Sequence, residues 1–149
     1  TGLDFRVLYG DALEPFWHGN KVIAHISNNV KGWGRGFTGA ISEVFPQPEE
    51  DYRKQETVKL GDTIFTKVNE STWVASMVCQ KGYSRNGADV VDYKNLRVCL
   101  SEVYDFAESQ DATVHMPKIG TGLGHGKWDR IKKIIKEELK TKTFVYLWR

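Results

Sequence analysis

The sequence predicts an α/β fold: a three-layer α/β/α sandwich around a mixed central sheet. Three observations predict it. Apolar runs of strand length alternate along the chain with segments of helical apolar spacing. Two neighbouring strand runs within residues 62–79 read as a hairpin, which makes the sheet mixed. Two polar, glycine-bearing turns each follow a strand and lead into a helix.

Taken in order, Leu3 to Tyr9 is a first strand with Phe5, Val7 and Tyr9 on one face, ended by Gly10-Asp11. Asp11 suits a turn or helix N-cap; it also stands at a strand's C-terminal end, where α/β proteins place ligands. Lys21 to Ser27 is a second, buried strand. The polar stretch from Asn28 to Gly36 follows, and Phe37 to Phe45 has helical apolar spacing at Ile41, Val44 and Phe45. Pro46 and Pro48 stop that helix, and the charged run Glu49 to Glu56 reads as a solvated helix or loop. Asp62 to Val68 and Trp73 to Cys79 form the hairpin, the latter a continuous apolar strand of the kind buried inside a sheet. Gln80 to Asp89 is a loop at the ligand edge of that strand. Tyr93 to Glu108 is a helix with Leu96, Leu100, Val103 and Ala107 on one stripe. Ala112 to Met116 is a strand, Pro117 to Gly126 the second glycine-rich turn, Trp128 to Leu139 a helix, and Thr143 to Leu147 the last strand.

Length and composition bound the function. At 149 residues the chain is expected to form one domain, 1–149, with a full core. It is 40% hydrophobic and 27% charged, as soluble globular proteins are, with a formal net charge of +2. Its basic residues are scattered apart from the final helix, which argues against a dedicated nucleic-acid binder. Cys79 and Cys99 lie in apolar runs and read as reduced core residues of a cytoplasmic protein. No apolar run reaches membrane-spanning length and no signal peptide is visible. The start at Thr1 without Met is expected of a trimmed chain.

The two glycine-rich turns are the main functional signal. Strand, glycine turn and helix together present unpaired N–H groups and a positive helix end, a place for an anion. Two such units in one small domain suit a ligand with two linked phosphates. Neither is a P-loop, since no Gly-Lys-Ser/Thr ends it. Neither is the G-x-G-x-x-G dinucleotide fingerprint.

Four segments carry a family resemblance: Gly10-Asp11; His25-Ile-Ser-Asn28 through Trp33-Gly-Arg-Gly36; Met77 through Gln80; and Val114-His-Met-Pro-Lys-Ile-Gly-Thr-Gly-Leu123 with Lys127-Trp128. In order and content they resemble macro domains, the ADP-ribose-binding α/β/α fold. The resemblance covers nearly the whole chain. It is to the branch that holds ADP-ribose-1''-phosphate-processing proteins, terminal ADP-ribose protein glycohydrolases and the macro modules of some chromatin remodellers.

The resemblance implies residue roles. Asp11 would accept the exocyclic amine of adenine. Asn28 would contact the distal ribose. Gly34, Arg35, Gly36 and Phe37 would form one side of a diphosphate cradle, and Gly120, Thr121, Gly122, Leu123 and Gly124 the other. Gln80 would lie beside the ligand, and Trp33 either covers the distal ribose or is a core or rim aromatic. Tyr146 or Trp148 would flank adenine, though Tyr146 also reads as core. The sequence departs from one hydrolase pattern, which uses a lysine and an aspartate: Gly124 stands at the aspartate's position, and Gln80 matches the lysine's at least as well as Lys81. Chemistry then falls to Asn28 and His125, with Asn29 and Gln80 as further candidates; His125 is also readable as a solvated loop residue, while His25 and His115 read as buried strand residues.

Two functions follow. One is hydrolysis at the distal ribose, of ADP-ribose-1''-phosphate, O-acetyl-ADP-ribose or an ADP-ribosyl-protein ester. The other is a non-catalytic reader of ADP-ribose. Either implies ADP-ribose or an ADP-ribosylated protein as partner, a monomer, and no cofactor, metal, membrane or nucleic acid.

Overall fold

A computed structural model describes residues 4–149; Leu3, assigned above to the first strand, lies outside them. Six strands and four helices follow one another as β1 (Phe5–Leu8), β2 (Asn20–Asn28), α1 (Phe37–Val44), α2 (Gln47–Lys54), β3 (Thr63–Asn69), β4 (Thr72–Gln80), α3 (Tyr93–Ser109), β5 (Ala112–Pro117), α4 (Trp128–Glu138) and β6 (Thr143–Tyr146). The sheet order is β1-β6-β5-β2-β4-β3. All pairings are parallel except β3 with β4, the hairpin read from the sequence. The sandwich with a mixed sheet is therefore what forms.

The two faces of β2 show how the layers are made. Alternate residues of a strand point to opposite faces. Val22 and Ala24 join Met77, Val114 and Met116 under α3 and α4, in a core with Leu96, Leu100, Val103, Ile131 and Ile135. Ile23 joins Val74 and Ile41 on the other face, beneath α1. Cys79 of β4 and Cys99 of α3 lie in the core under α3 and α4, both buried and unbridged.

Two elements differ from expectation. β1 is only four residues long, and Tyr9 is exposed rather than sharing a buried face with Phe5. The charged run after Pro46 takes the helical alternative, as α2, but with one buried side. Pro sits in its first turn, where no amide hydrogen bond is lost; Glu49 and Glu50 stand near its N-terminus and Arg53 and Lys54 near its end, complementing the helix dipole. Its Tyr52 is fully buried with Val78.

Two histidines are closed into the sheet. On β5, His115 has both nitrogens paired: Nδ1 with Tyr146 Oη at 2.8 Å and Nε2 with Thr113 Oγ1 at 2.7 Å. Burial, aided by the Lys21 charge, pushes its pKa down from 6.5 to about 3. Burial likewise pushes His25 from 6.5 to about 4, opposed in part by the backbone of Ile26. Both folded values lie below the unfolded one, so the unfolded chain takes up protons first. Their contribution to stability is complete above pH 6.5 and is lost as pH falls towards 4 and 3. Urea unfolding midpoints should hold steady from pH 8 to 7 and then fall on acidification. Each histidine accounts for up to about 1.4 kcal/mol per pH unit. A midpoint unchanged between pH 7 and 5 would contradict this.

Candidate functional site

Because β2, β4 and β5 run parallel, the segments that leave their C-terminal ends meet on one edge of the sheet. There they enclose a cleft of about 610 Å³. The segment after β2 and the N-terminus of α1 form one wall, the segment after β5 the opposite wall, and the residues after β6 close one end. The floor is the last part of β2, His25 to Asn28.

The first wall is held by Asn28. Its Oδ1 accepts the backbone N–H groups of Val30 at 3.0 Å and Gly32 at 2.9 Å, and Tyr52 Oη lies 3.1 Å away. Its Nδ2 donates to the Gly32 carbonyl at 3.3 Å. One Nδ2 hydrogen is all that this carboxamide still has to offer a ligand. The Tyr52 hydroxyl also donates to the Asn28 carbonyl at 2.5 Å, and burial pushes its pKa up to about 12. Lys31 Nζ donates to the Arg53 and Gln55 carbonyls, which ties the loop to the end of α2. Trp33 is a rim aromatic: it lines the cleft, and its ring packs on His25 and Tyr52 while Nε1 donates to Ser42 Oγ at 2.8 Å.

Helix α1 then begins with no side-chain cap and no acidic residue in its first turn. Gly36, at its N-cap, has φ +60°, a conformation costly to any residue with a Cβ. Its first amides are thus left for solvent or an anion, beside Arg35, Phe37 and Thr38 of the cleft wall.

In the second wall the glycines divide into two kinds. A Cβ on Gly120 would come within 2.9 Å of Ile131, one on Gly124 within 2.9 Å of Gln80 Oε1, and one on Gly126 within 2.6 Å of the Gly120 carbonyl. These three let the loop pack on itself and on α4. Gly122 has nothing within 4 Å of its Cβ position; its bareness leaves room on the cleft side. The second helix end expected here is not part of the site. The chain curls back first, with Gly126 N–H donating to the Gly120 carbonyl at 2.6 Å, and neither Lys127 nor the first turn of α4 lines the cleft.

The structure thus brings Asn28, Trp33, Arg35, Gly36, Phe37, Gln80 and residues 120–124 to one cleft. Gly34, Asp11 and His125 do not line it. Gly34 donates its N–H to Thr38 Oγ1. His125 is an exposed residue at φ +53°. Asp11 is buried, its Oδ1 accepting the Leu13 N–H and its Oδ2 the Arg149 Nε, each at 2.9 Å. It reaches the cleft only through Arg149, which with Trp148 lines one end. Trp148 is 60% exposed there, and Tyr146, buried against His115, lines the cleft as well.

Sequence reading missed Tyr83, Thr38 and Lys118, which also line the cleft, and left His25 to the core although it forms part of the floor. Tyr83 reaches over Gly32 so closely that a Cβ on Gly32 would lie 1.7 Å from its hydroxyl oxygen. Gly82-Tyr83 just after the central strand was the available signal. The cations Arg35, Lys118 and Arg149 line the cleft and no aspartate or glutamate does, which suits an anionic ligand. Among the described residues, no group of His, Cys, Asp and Glu side chains could hold a metal ion.

Comparison with known proteins places this geometry. A family model described as Macro domain matches residues 24–135. A solved structure of a Bacteroides thetaiotaomicron protein of unknown function is 42% identical, with a TM-score of 0.90, covering 95% of this chain and 96% of that one. A macrodomain protein from Streptomyces coelicolor is 34% identical, with a TM-score of 0.82 over 95% of this chain and 97% of that one. An uncharacterised 17.5 kDa protein of Enterobacteria phage T4 is 29% identical over 87% of this chain and 86% of its own length. An Oceanobacillus iheyensis macrodomain mutant with ADPR shares the fold at 18% identity, with a TM-score of 0.69 over 97% of this chain and 84% of that one.

The hydrogen bonds at Asn28 give a test that needs no ligand. Asn28→Ala strands the Val30 and Gly32 amides and one contact of Tyr52, and should cost about 1–3 kcal/mol in urea unfolding. Asn28→Asp, which keeps an acceptor oxygen, should lose less. An alanine variant as stable as the parent would remove this role.

Proposed function

The chain belongs to the macro domain family, and from that premise we propose that it binds ADP-ribose or a derivative in the cleft and hydrolyses an ester on the distal ribose. The observation that carries the reading is the facing of two bare backbone surfaces, the start of α1 at Gly36 and the open side of Gly122. Gly36 lies so near Leu123 that a Cβ on it would stand 3.3 Å from that side chain. A diphosphate fits between such surfaces, neutralised by N–H groups and by Arg35. The base lies towards Trp148 and Arg149, the latter held by Asp11. The distal ribose lies towards Asn28, Gln80 and Tyr83.

In the hydrolytic step, water adds across the ester: the bond to the acyl or phosphoryl group breaks, a hydroxyl returns to the ribose, and the acid departs. The uncommitted Nδ2 hydrogen of Asn28 and the ligand's own diphosphate position that water, so rate would come from placement rather than from a strong base. The candidate substrates are ADP-ribose-1''-phosphate, O-acetyl-ADP-ribose and an ADP-ribosyl-protein ester. One observation favours a second reading, the non-catalytic reader: no carboxylate lines the cleft and most of the Asn28 carboxamide is spent on its loop.

Calorimetry should show ADP-ribose binding in the micromolar range and AMP, which lacks the second phosphate and distal ribose, binding more weakly. Gly122→Val should abolish that heat while leaving the melting temperature unchanged, because its side chain enters open cleft space. Equal heats for AMP and ADP-ribose, or full binding by the valine variant, would overturn the placement. Turnover of any of the three substrates identifies the enzyme; binding without turnover leaves the reader.

A further inference from the structure

Two polar side chains in the floor of the cleft each have an atom without a partner. His25 and Ser27 are both buried, stand two residues apart on one face of β2, and line the cleft. The Ile26 backbone lies near the His25 ring but makes no well-aligned hydrogen bond to Nδ1, and Ser27 Oγ has no partner among the described residues. Buried polar groups without partners are uncommon, and each requires a reason. The contrast with His115 shows that this chain satisfies an enclosed histidine where nothing else intervenes: both of its ring nitrogens are paired.

The tautomer of His25 follows from its neighbour. Its Nε2 lies 2.7 Å from Ser76 Oγ, opposite it on β4, and Ser76 has no other side-chain partner. A buried hydroxyl with one acceptor in reach gives its proton to that acceptor. Nε2 is then the acceptor, and the neutral ring carries its proton on Nδ1. Nδ1–H and the Ser27 hydroxyl are therefore two unused donors in one floor. What fits two donors best is an oxygen that only accepts; a phosphoryl oxygen does, whereas a sugar hydroxyl brings a proton of its own.

We propose that His25 Nδ1–H and Ser27 Oγ–H form a two-donor subsite in the floor of the cleft that takes a phosphoryl oxygen of the bound ligand. This rests on the reading of the cleft as a diphosphate site and adds side-chain donors to the backbone cradle above it. The free protein bears two unpaired donors so that the ligand can pair them. Removing one should therefore help the empty protein and harm the complex.

The test uses the whole chain, Ser27→Ala, and the double variant His25→Phe/Ser76→Ala, which removes the imidazole without stranding the serine. Melting temperatures of the empty proteins are measured together with calorimetric affinities for ADP-ribose and for inorganic diphosphate. Ser27→Ala should melt at or above the wild-type temperature and bind ADP-ribose about tenfold more weakly. A structural role alone would not move the two readouts in opposite directions. In wild-type protein with ¹⁵N-labelled histidine, the His25 proton should reside on Nδ1 and its resonance should shift downfield on ligand addition. Wild-type binding matched by both variants, or a proton found on Nε2, overturns the subsite and leaves the functional reading standing. A wild type that ignores ADP-ribose but binds diphosphate more tightly than the variants sinks the functional reading and keeps the subsite. Binding of neither sinks both.

Discussion

Strand β2 is paired on both edges by parallel neighbours and covered on both faces by helices, and the site follows from that enclosure. A polar residue there cannot turn to water. It must find a partner in the protein or be completed by something that enters. Asn28, at the strand's end beyond a register shift, finds partners in the loop that follows. His25 and Ser27, a little deeper, find fewer. The same enclosure keeps His25 neutral across the physiological range.

The walls bring bare backbone to the cleft. They do so by different means. The first is pulled into shape by side chains: the Asn28 carboxamide, Tyr52 from α2 beneath, and Lys31 clasping the end of that helix. The second is shaped by what is missing, since three of its glycines are needed for the loop to pack and only Gly122 faces open space. A side chain on any of the packed three would clash with the fold, whereas one on Gly122 would enter open space. Glycines that look alike in the sequence thus do separate jobs.

This separation marks how far the sequence could be read. The buried strands were legible because Trp73 to Cys79 is a nearly unbroken apolar run and Lys21 to Ser27 a mostly apolar one, and the hairpin followed from the short turn between Asp62–Val68 and Trp73–Cys79. The glycine segments were legible as loops that leave parallel strands at one edge of the sheet, but not which of their glycines pack and which lie open. Tyr52 was not, because one aromatic in a charged run gives no period, although the proline and the ordered charges around it marked a helix. The second helix end was misplaced because only the fold shows that the chain curls at Gly126 before α4 begins. The contacts of Asn28, the course of Arg149 onto Asp11, and the reach of Tyr83 over Gly32 join residues far apart in the chain, and no local pattern encodes them.

The enclosed sulfurs of Cys79 and Cys99 lend the molecule a built-in clock. Cys79 ends the run that precedes Gln80 of the cleft, and Cys99 packs from α3 behind it. Burial pushes the Cys79 thiol well above its usual range, so it is a poor nucleophile while the fold is closed. An alkylating reagent therefore modifies that thiol no faster than β4 and α3 part from each other. The pace of its labelling, with and without a bound nucleotide, times the breathing of the layer on which the cleft is built.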